Sequence, residues 1–239
     1  MRKTLAHKWG IVRQTLANEL SVLLYPPSES VGDDYHRWYY NNQVWRSTEW
    51  MGVTTYKSVS DMWNYQEILF SRKPSLVIEF GTFHGGSALF FATIMRQIGK
   101  PFRLLSVDID DSLIHDATKN DPDIELMKVS SSDPSVRERI ISLKSKYPGP
   151  IFAILDSDHT KDHVLAEMIL LQPLLSPGDY LVVEDSNING HPVLPLWGNG
   201  PYEAIEEYFR RFPNDYAKDR EREAKFGFTF APQGFLIRR

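Results

Sequence analysis

The chain has 239 residues, enough for one sizeable domain with an extension beside it. A hydrophobic share of 42% against 24% charged residues suits a soluble globular domain, and a net charge of −4 excludes the basic excess expected of a nucleic-acid binder. The absence of cysteine excludes disulfides, thiolate zinc sites and a cysteine nucleophile. In chain order, Leu5, Trp9, Val12, Leu16, Leu20 and Leu23 recur at helical spacing among Arg2, Lys3, Lys8 and Arg13. This predicts an amphipathic helix ended by Pro26 and Pro27. Such a helix packs on the domain or on a second subunit, or lies on a membrane surface. No apolar run approaches the roughly 20 residues needed to cross a bilayer. The first residues also lack the apolar core of a secretory signal, so a cytoplasmic protein is expected.

Residues 33–65 carry Tyr35, Trp38, Tyr39, Tyr40, Trp45, Trp50, Tyr56, Trp63 and Tyr65. They form either the core of a small N-terminal layer or an apolar wall over a ligand site. Residues 1–70 are accordingly expected to be a helical and aromatic extension, acting as a lid or an assembly surface in a homo-oligomer.

From Lys73 onward short apolar runs alternate with helical patterns, giving a domain over residues 71–239. Strands are expected at Leu76–Phe80, Phe102–Val107, Ile124–Val129, Ile151–Leu155 and Tyr180–Val183, with helices near 86–98, 134–146 and 160–175. Apolar runs without alternation belong to strands covered on both faces, and the β–α alternation means a parallel sheet with right-handed crossovers. The last residues, FGFTFAPQGFLIRR, read as an antiparallel hairpin around a Pro-Gln-Gly turn. The fold class expected is therefore α/β: a Rossmann-like doubly wound sheet with a C-terminal antiparallel hairpin. Lys218–Lys225 alternates in sign and reads as a solvated helix face.

The first of these strands runs into Glu79-Phe80-Gly81-Thr82-Phe83-His84-Gly85-Gly86-Ser87 and then a helix. Glycines at such a turn let the backbone approach a ligand, and the helix start offers free N–H groups. The spacing G-x-x-x-G-G differs from the dinucleotide pattern G-x-G-x-x-G, which weakens a nicotinamide reading. An acid opening the turn suits the ammonium group of S-adenosylmethionine, whose carboxylate the glycine amides can bind. The cofactor residues expected are Glu79, Gly81, Thr82, Gly85 and Ser87. Asp108 ends the second strand, where an acid reaches ribose hydroxyls, and Ile109 follows it. Ser130 to Asp133, after the third strand, stand either beside an adenine ring or as helix caps.

The fourth strand ends in Asp156-Ser157-Asp158-His159 and the fifth in Glu184-Asp185. Carboxylates gathered at the ligand-binding edge of the sheet repel one another unless a cation neutralises them. Oxygen donors suit Mg²⁺, with Mn²⁺ or Ca²⁺ as substitutes. The ligands expected are Asp156, Glu184 and Asp185, Asp156 also facing the cofactor. Asp158 is a fourth ligand or a helix cap. His159 and His163 lie one turn apart, a spacing zinc ligands also use.

The segments EFGTFHGGS, SVDID, ILDSDH and VVEDSN resemble the cephalosporin hydroxylase/rhamnosyl O-methyltransferase family over most of residues 40–239. They are also similar to the metal-dependent sugar methyltransferases of macrolide pathways and to catechol methyltransferases. The resemblance implies a class I S-adenosylmethionine-dependent O-methyltransferase. Its general base stands three residues after the first metal ligand, at His159, and its acceptor is a sugar with neighbouring hydroxyls. In that scheme Mg²⁺ lowers the hydroxyl pKa, His159 takes the proton, and the oxygen attacks the sulfonium methyl. Where the family often has an acid near the adenine, this chain has Ser130. Two alternatives stand beside it: an oxygenase, as the word hydroxylase suggests, and a non-catalytic adenosyl-ligand-binding partner protein. Ser186–Pro201 forms a long Gly- and Pro-rich loop in which Asn187, His191 and Trp197 are candidate acceptor contacts.

Overall fold

The computed structural model describes residues 2–24, 28 and 30–239. The N-terminal part holds α1 (Arg2–Leu24), α2 (Val31–Asn41), a 3₁₀ turn (Val44–Ser47) and a two-stranded hairpin of β1 (Glu49–Trp50) and β2 (Val53–Thr54). The helix expected from the periodicity is thus present as α1, while the two prolines expected to end it lie outside the described residues. The side chains of Lys8, Trp9 and residues 11–24 are all exposed.

The remaining elements are α3 (Val59–Arg72), β3 (Leu76–Phe80), α4 (Gly86–Ile98), β4 (Arg103–Asp108), α5 (Asp116–Lys119), β5 (Ile124–Lys128) and α6 (Pro134–Lys146). They continue with β6 (Ile151–Leu155), α7 (Lys161–Leu171), β7 (Tyr180–Val183), α8 (Pro201–Arg211), β8 (Tyr216–Lys218), α9 (Arg220–Ala224) and β9 (Phe235–Arg238). The seven-stranded sheet runs β5-β4-β3-β6-β7-β9-β8. Neighbours β5 to β7 are parallel, and β9 is antiparallel to both β7 and β8. This is the Rossmann-like sheet with C-terminal antiparallel strands that the sequence predicts.

Successive strand residues point to opposite faces. Leu76, Ile78 and Phe80 therefore pack with Ile140 of α6, Met168 of α7 and Ile205 of α8. Val77 packs on the other face with Tyr65 and Leu69 of α3 and with Phe91 and Met95 of α4. Both faces being covered explains why the strand cores read as unbroken apolar runs. α3, which runs across residues 70 and 71, contributes Tyr65, Ile68 and Leu69 to this core.

The antiparallel pair is placed differently from the expected hairpin. Phe235–Arg238 is a strand, but its partner is Tyr216–Lys218, not Phe226–Phe230. Phe228 instead packs against Tyr35, His36 and Tyr39 of α2, and Phe230 stacks on His36. The alternating aromatics of that segment are satisfied by a helix face, so no strand ladder forms there. The Lys218–Lys225 run is split between the end of β8 and the short helix α9; Arg222 within α9 and Lys225 at its end pair with Glu67.

Candidate active site

The carboxyl ends of β3, β4, β6 and β7 open onto one cavity of about 1110 Å³. That exceeds the volume needed by one ordinary small ligand and leaves room for a donor and an acceptor together. Gly81, Thr82, Gly85, Ser87, Asp108, Ile109, Ser130 and Asp156 all line it, so eight of the nine residues expected at the cofactor are gathered there. The turn after β3 is tightly built. Gly81 has φ +97°, and a Cβ there would run into the backbone of Asp156. Gly85 caps α4 with φ +83°, where a Cβ would strike Thr118. Asp108 braces the same turn: its Oδ2 accepts from the backbone N–H groups of Thr82 and Phe83, each at 2.9 Å.

Glu79 is the exception. It is fully buried behind the turn and does not line the cavity. Its Oε2 accepts from the Ser106 hydroxyl at 2.5 Å, and its Oε1 has no hydrogen-bond partner among the described residues. Burial pushes its carboxyl up to about 7, against the pull of Lys57. Strand pairing places its side chain inward, between β4 and β6, rather than beyond the turn.

At the other end of the cavity Asp156, His159 and Asp185 each offer a donor atom within 4.8 Å of the others. His159 Nε2 lies 3.1 Å from Asp185 Oδ2. Enclosure raises the carboxyls of Asp156 and Asp185, with Lys57 and His159 respectively opposing that rise. For His159 burial alone disfavours the charged ring, yet Asp185 and Asp156 outweigh it and its pKa is raised. Asp185 itself has φ +51°, a left-handed conformation that Asp tolerates better than most residues.

Glu184, expected with them, faces elsewhere. The first residue beyond β7, it turns into the protein, where its Oε2 accepts from Lys57 Nζ at 2.6 Å and its Oε1 from the Tyr65 hydroxyl. It is absent from the cavity lining and from the donor group. Lys57 also donates to Asp156. Sequence reasoning missed Lys57 and Tyr65, because their partners lie more than ninety residues further along the chain.

Of the other candidates, Asp158 accepts from the backbone N–H of Thr160, the residue before α7, at 2.8 Å and is not among the gathered donors. His163 bonds Ser131 and Glu167 rather than joining His159 as a zinc ligand. After β5, Asp133 caps α6 while Ser130 and Ser131 line the cavity. Tyr40, Trp45, Tyr56 and Phe230 form an aromatic wall, with Leu194 and Trp197 of the long loop opposite. Asn187 is buried against His36, and His191 stacks on Tyr202, so neither reaches the cavity.

The donor chemistry around the floor suits a divalent cation. Asp156 and Asp185 bring two carboxylates beside the His159 imidazole, an oxygen-rich donor set. Both residues line the open cavity.

The family model described as Rhamnosyl O-methyltransferase/CmcI matches residues 42–239. The chain belongs to that family. A rhamnosyl O-methyltransferase of Mycobacterium bovis is 61% identical over 229 residues, covering 96% of this chain and 93% of the relative. Its namesake in Mycobacterium leprae is also 61% identical, over 220 residues, covering 92% and 96%. Among solved structures, CmcI with Mg and SAM superposes with a TM-score of 0.66 at 20% identity, over 81% of this chain and 77% of that one. An O-methyltransferase from Bacillus cereus with SAH gives 0.51 at 12% identity, over 93% and 97%. These two likenesses show the shared class I methyltransferase fold. The protein is an S-adenosylmethionine-dependent O-methyltransferase of the rhamnosyl O-methyltransferase/CmcI family.

Proposed function

We propose that this family member methylates a sugar hydroxyl on a glycoside, glycolipid or natural product that carries a neighbouring hydroxyl. It does so with Mg²⁺ held by Asp156 and Asp185. The observation that carries the reading is the meeting of Asp156, His159 and Asp185 in the cavity that the glycine turn also lines. Bound S-adenosylmethionine supplies the methyl group, and a bound divalent cation supplies Lewis acidity toward the acceptor oxygens.

The chain's own residues do the rest. Gly81, Thr82, Gly85 and Ser87 present backbone and hydroxyl donors to the methionine end, with Glu79 buried behind them. Asp108 and Ile109 take the ribose, and Ser130 the adenine. His159 accepts the hydroxyl proton on its imidazole, its ring held by Asp185. The aromatic wall excludes water and offers faces on which a sugar ring can stack. Glu184, held by Lys57 and Tyr65, supports Asp156 rather than joining the donors. The oxygenase alternative calls for two imidazoles and one carboxylate at the metal, the reverse of the donors present here.

The test incubates the protein with S-adenosylmethionine and rhamnosides, with added Mg²⁺ or with a chelator. Methyl ether formation that the chelator abolishes is the expected result. Transfer unaffected by the chelator would remove the metal, and transfer only to catechols or amines would remove the sugar.

A further inference from the structure

Lys57 is not absorbed by either half of the site, although its ammonium group touches the middle of it. Its side chain is 3% exposed, and Nζ donates to Asp156 at the end of β6 and to Glu184 at the end of β7. The loop that carries it is firmly seated. Thr55 N donates to Thr48 O and Lys57 N to Thr55 O, both at 2.9 Å. The same stretch lies against the start of α4, where a Cβ on Gly86 would run into Thr54 and Thr55. Tyr65, from α3, holds the second oxygen of Glu184. Both oxygens of Glu184 are therefore taken, whereas Asp156 gives up only one. This division accounts for a donor group of Asp156, His159 and Asp185 that leaves Glu184 out.

We propose that Lys57 is a positioning residue of the cation site, tying Asp156 to Glu184 so that Asp156 stays aligned with Asp185 and His159. The proposal rests on the cation reading above. Two effects compete when the ammonium is removed. The cluster becomes more negative by one charge, which favours a cation. Asp156 and Glu184 then also repel each other across the gap that Nζ had bridged, and Asp156 swings out of alignment. Groups that orient a metal ligand from behind are worth roughly 10–100-fold in metal affinity, and a metal cannot recover a donor that points away. Loss of alignment therefore wins.

The experiment titrates Mn²⁺ into the full chain, without methyl donor or acceptor, and reads free Mn²⁺ by electron paramagnetic resonance. Lys57→Met is compared with the parent, with melting temperature recorded for each. The expected result is Mn²⁺ binding at least roughly tenfold weaker in folded Lys57→Met. Tyr65→Phe, which removes only the hydroxyl on Glu184, shows a smaller loss in the same direction and carries the test alone if Lys57→Met does not fold. A lower melting temperature with Mn²⁺ affinity equal to or tighter than the parent's would reduce Lys57 to a buried structural cation and overturn the proposal. In the same way, unchanged affinity in Tyr65→Phe overturns it when Lys57→Met is unfolded. A parent chain that binds no Mn²⁺ would instead overturn the cation reading itself, and the role of Lys57 with it.

Discussion

Asp185, two residues beyond β7, turns the chain into a left-handed conformation, with its carboxylate beside His159 while Glu184 points the other way. The pair sets a prediction for pH. A general base works in its neutral form, and the two aspartates favour the charged ring. The rate should therefore rise with pH through a midpoint above about 6.5, the ordinary imidazole value, when the cation is subsaturating. Saturating Mg²⁺ should draw the carboxylates away and lower that midpoint; a midpoint that ignores Mg²⁺ in kcat/KM profiles would argue against this arrangement. His159→Ala is expected to keep S-adenosylmethionine affinity in calorimetry and to lose turnover by roughly 10²–10⁴-fold. Asp108→Ala should do the reverse, weakening the cofactor through the turn it braces. At this scale the sequence was legible where a residue follows a strand end, since topology puts all such positions on one edge. Glu79 was misplaced because it sits one position inside the edge, where alternation buries it, and Glu184, although it follows β7, turns inward to Lys57 and Tyr65. No local pattern announced Lys57, whose partners arrive from two distant strands.

The element that ties the N-terminal half to the sheet is α3. Asp61 in its first turn accepts from the Thr229 hydroxyl at 2.6 Å and from Phe230 N at 2.8 Å. Burial nevertheless raises its carboxyl to about 7. The folded state therefore keeps a proton that the unfolded chain sheds above about pH 4. This contribution to stability is full below about pH 4 and is lost as pH rises toward 7, with no further change above. Asp61→Asn, which keeps one acceptor, should narrow the fall in melting temperature between pH 5 and pH 8; an unchanged fall would assign it to other groups, Glu79 foremost. Gly81→Ala is expected to be far more damaging, since the added methyl meets backbone and the conformation is one that L residues rarely adopt. The buried strands β3, β6 and β7 and the helices α4 and α6 were legible because period and capping agreed with the fold. Phe226–Phe230 misled because alternating aromatics fit a strand and a helix-facing loop equally well, and only tertiary packing decides between them.

At the scale of the whole molecule, α1 stands out because its described side chains are all exposed. Trp9, Val12, Leu16, Leu20 and Leu23 are exposed, and no described helix is long and apolar enough to cross a membrane. Removal of residues 2–24 should leave the melting temperature and S-adenosylmethionine affinity close to those of the parent. If the exposed α1 is an assembly surface, one of the roles expected for residues 1–70, light scattering should show the full chain above monomer mass and the shortened chain at it. Equal masses would remove α1 from the assembly.

The order β7-β9-β8 carries a consequence for synthesis. The strand that bridges its two neighbours is the last of the three to emerge, so β7 and β8 each wait with an open hydrogen-bonding edge. A nascent chain stalled before Phe235 would hold a nearly finished catalytic edge beside an unsealed seam, the kind of intermediate that aggregates or recruits a chaperone. The gap between β7 and β8 thus closes only once β9 has emerged.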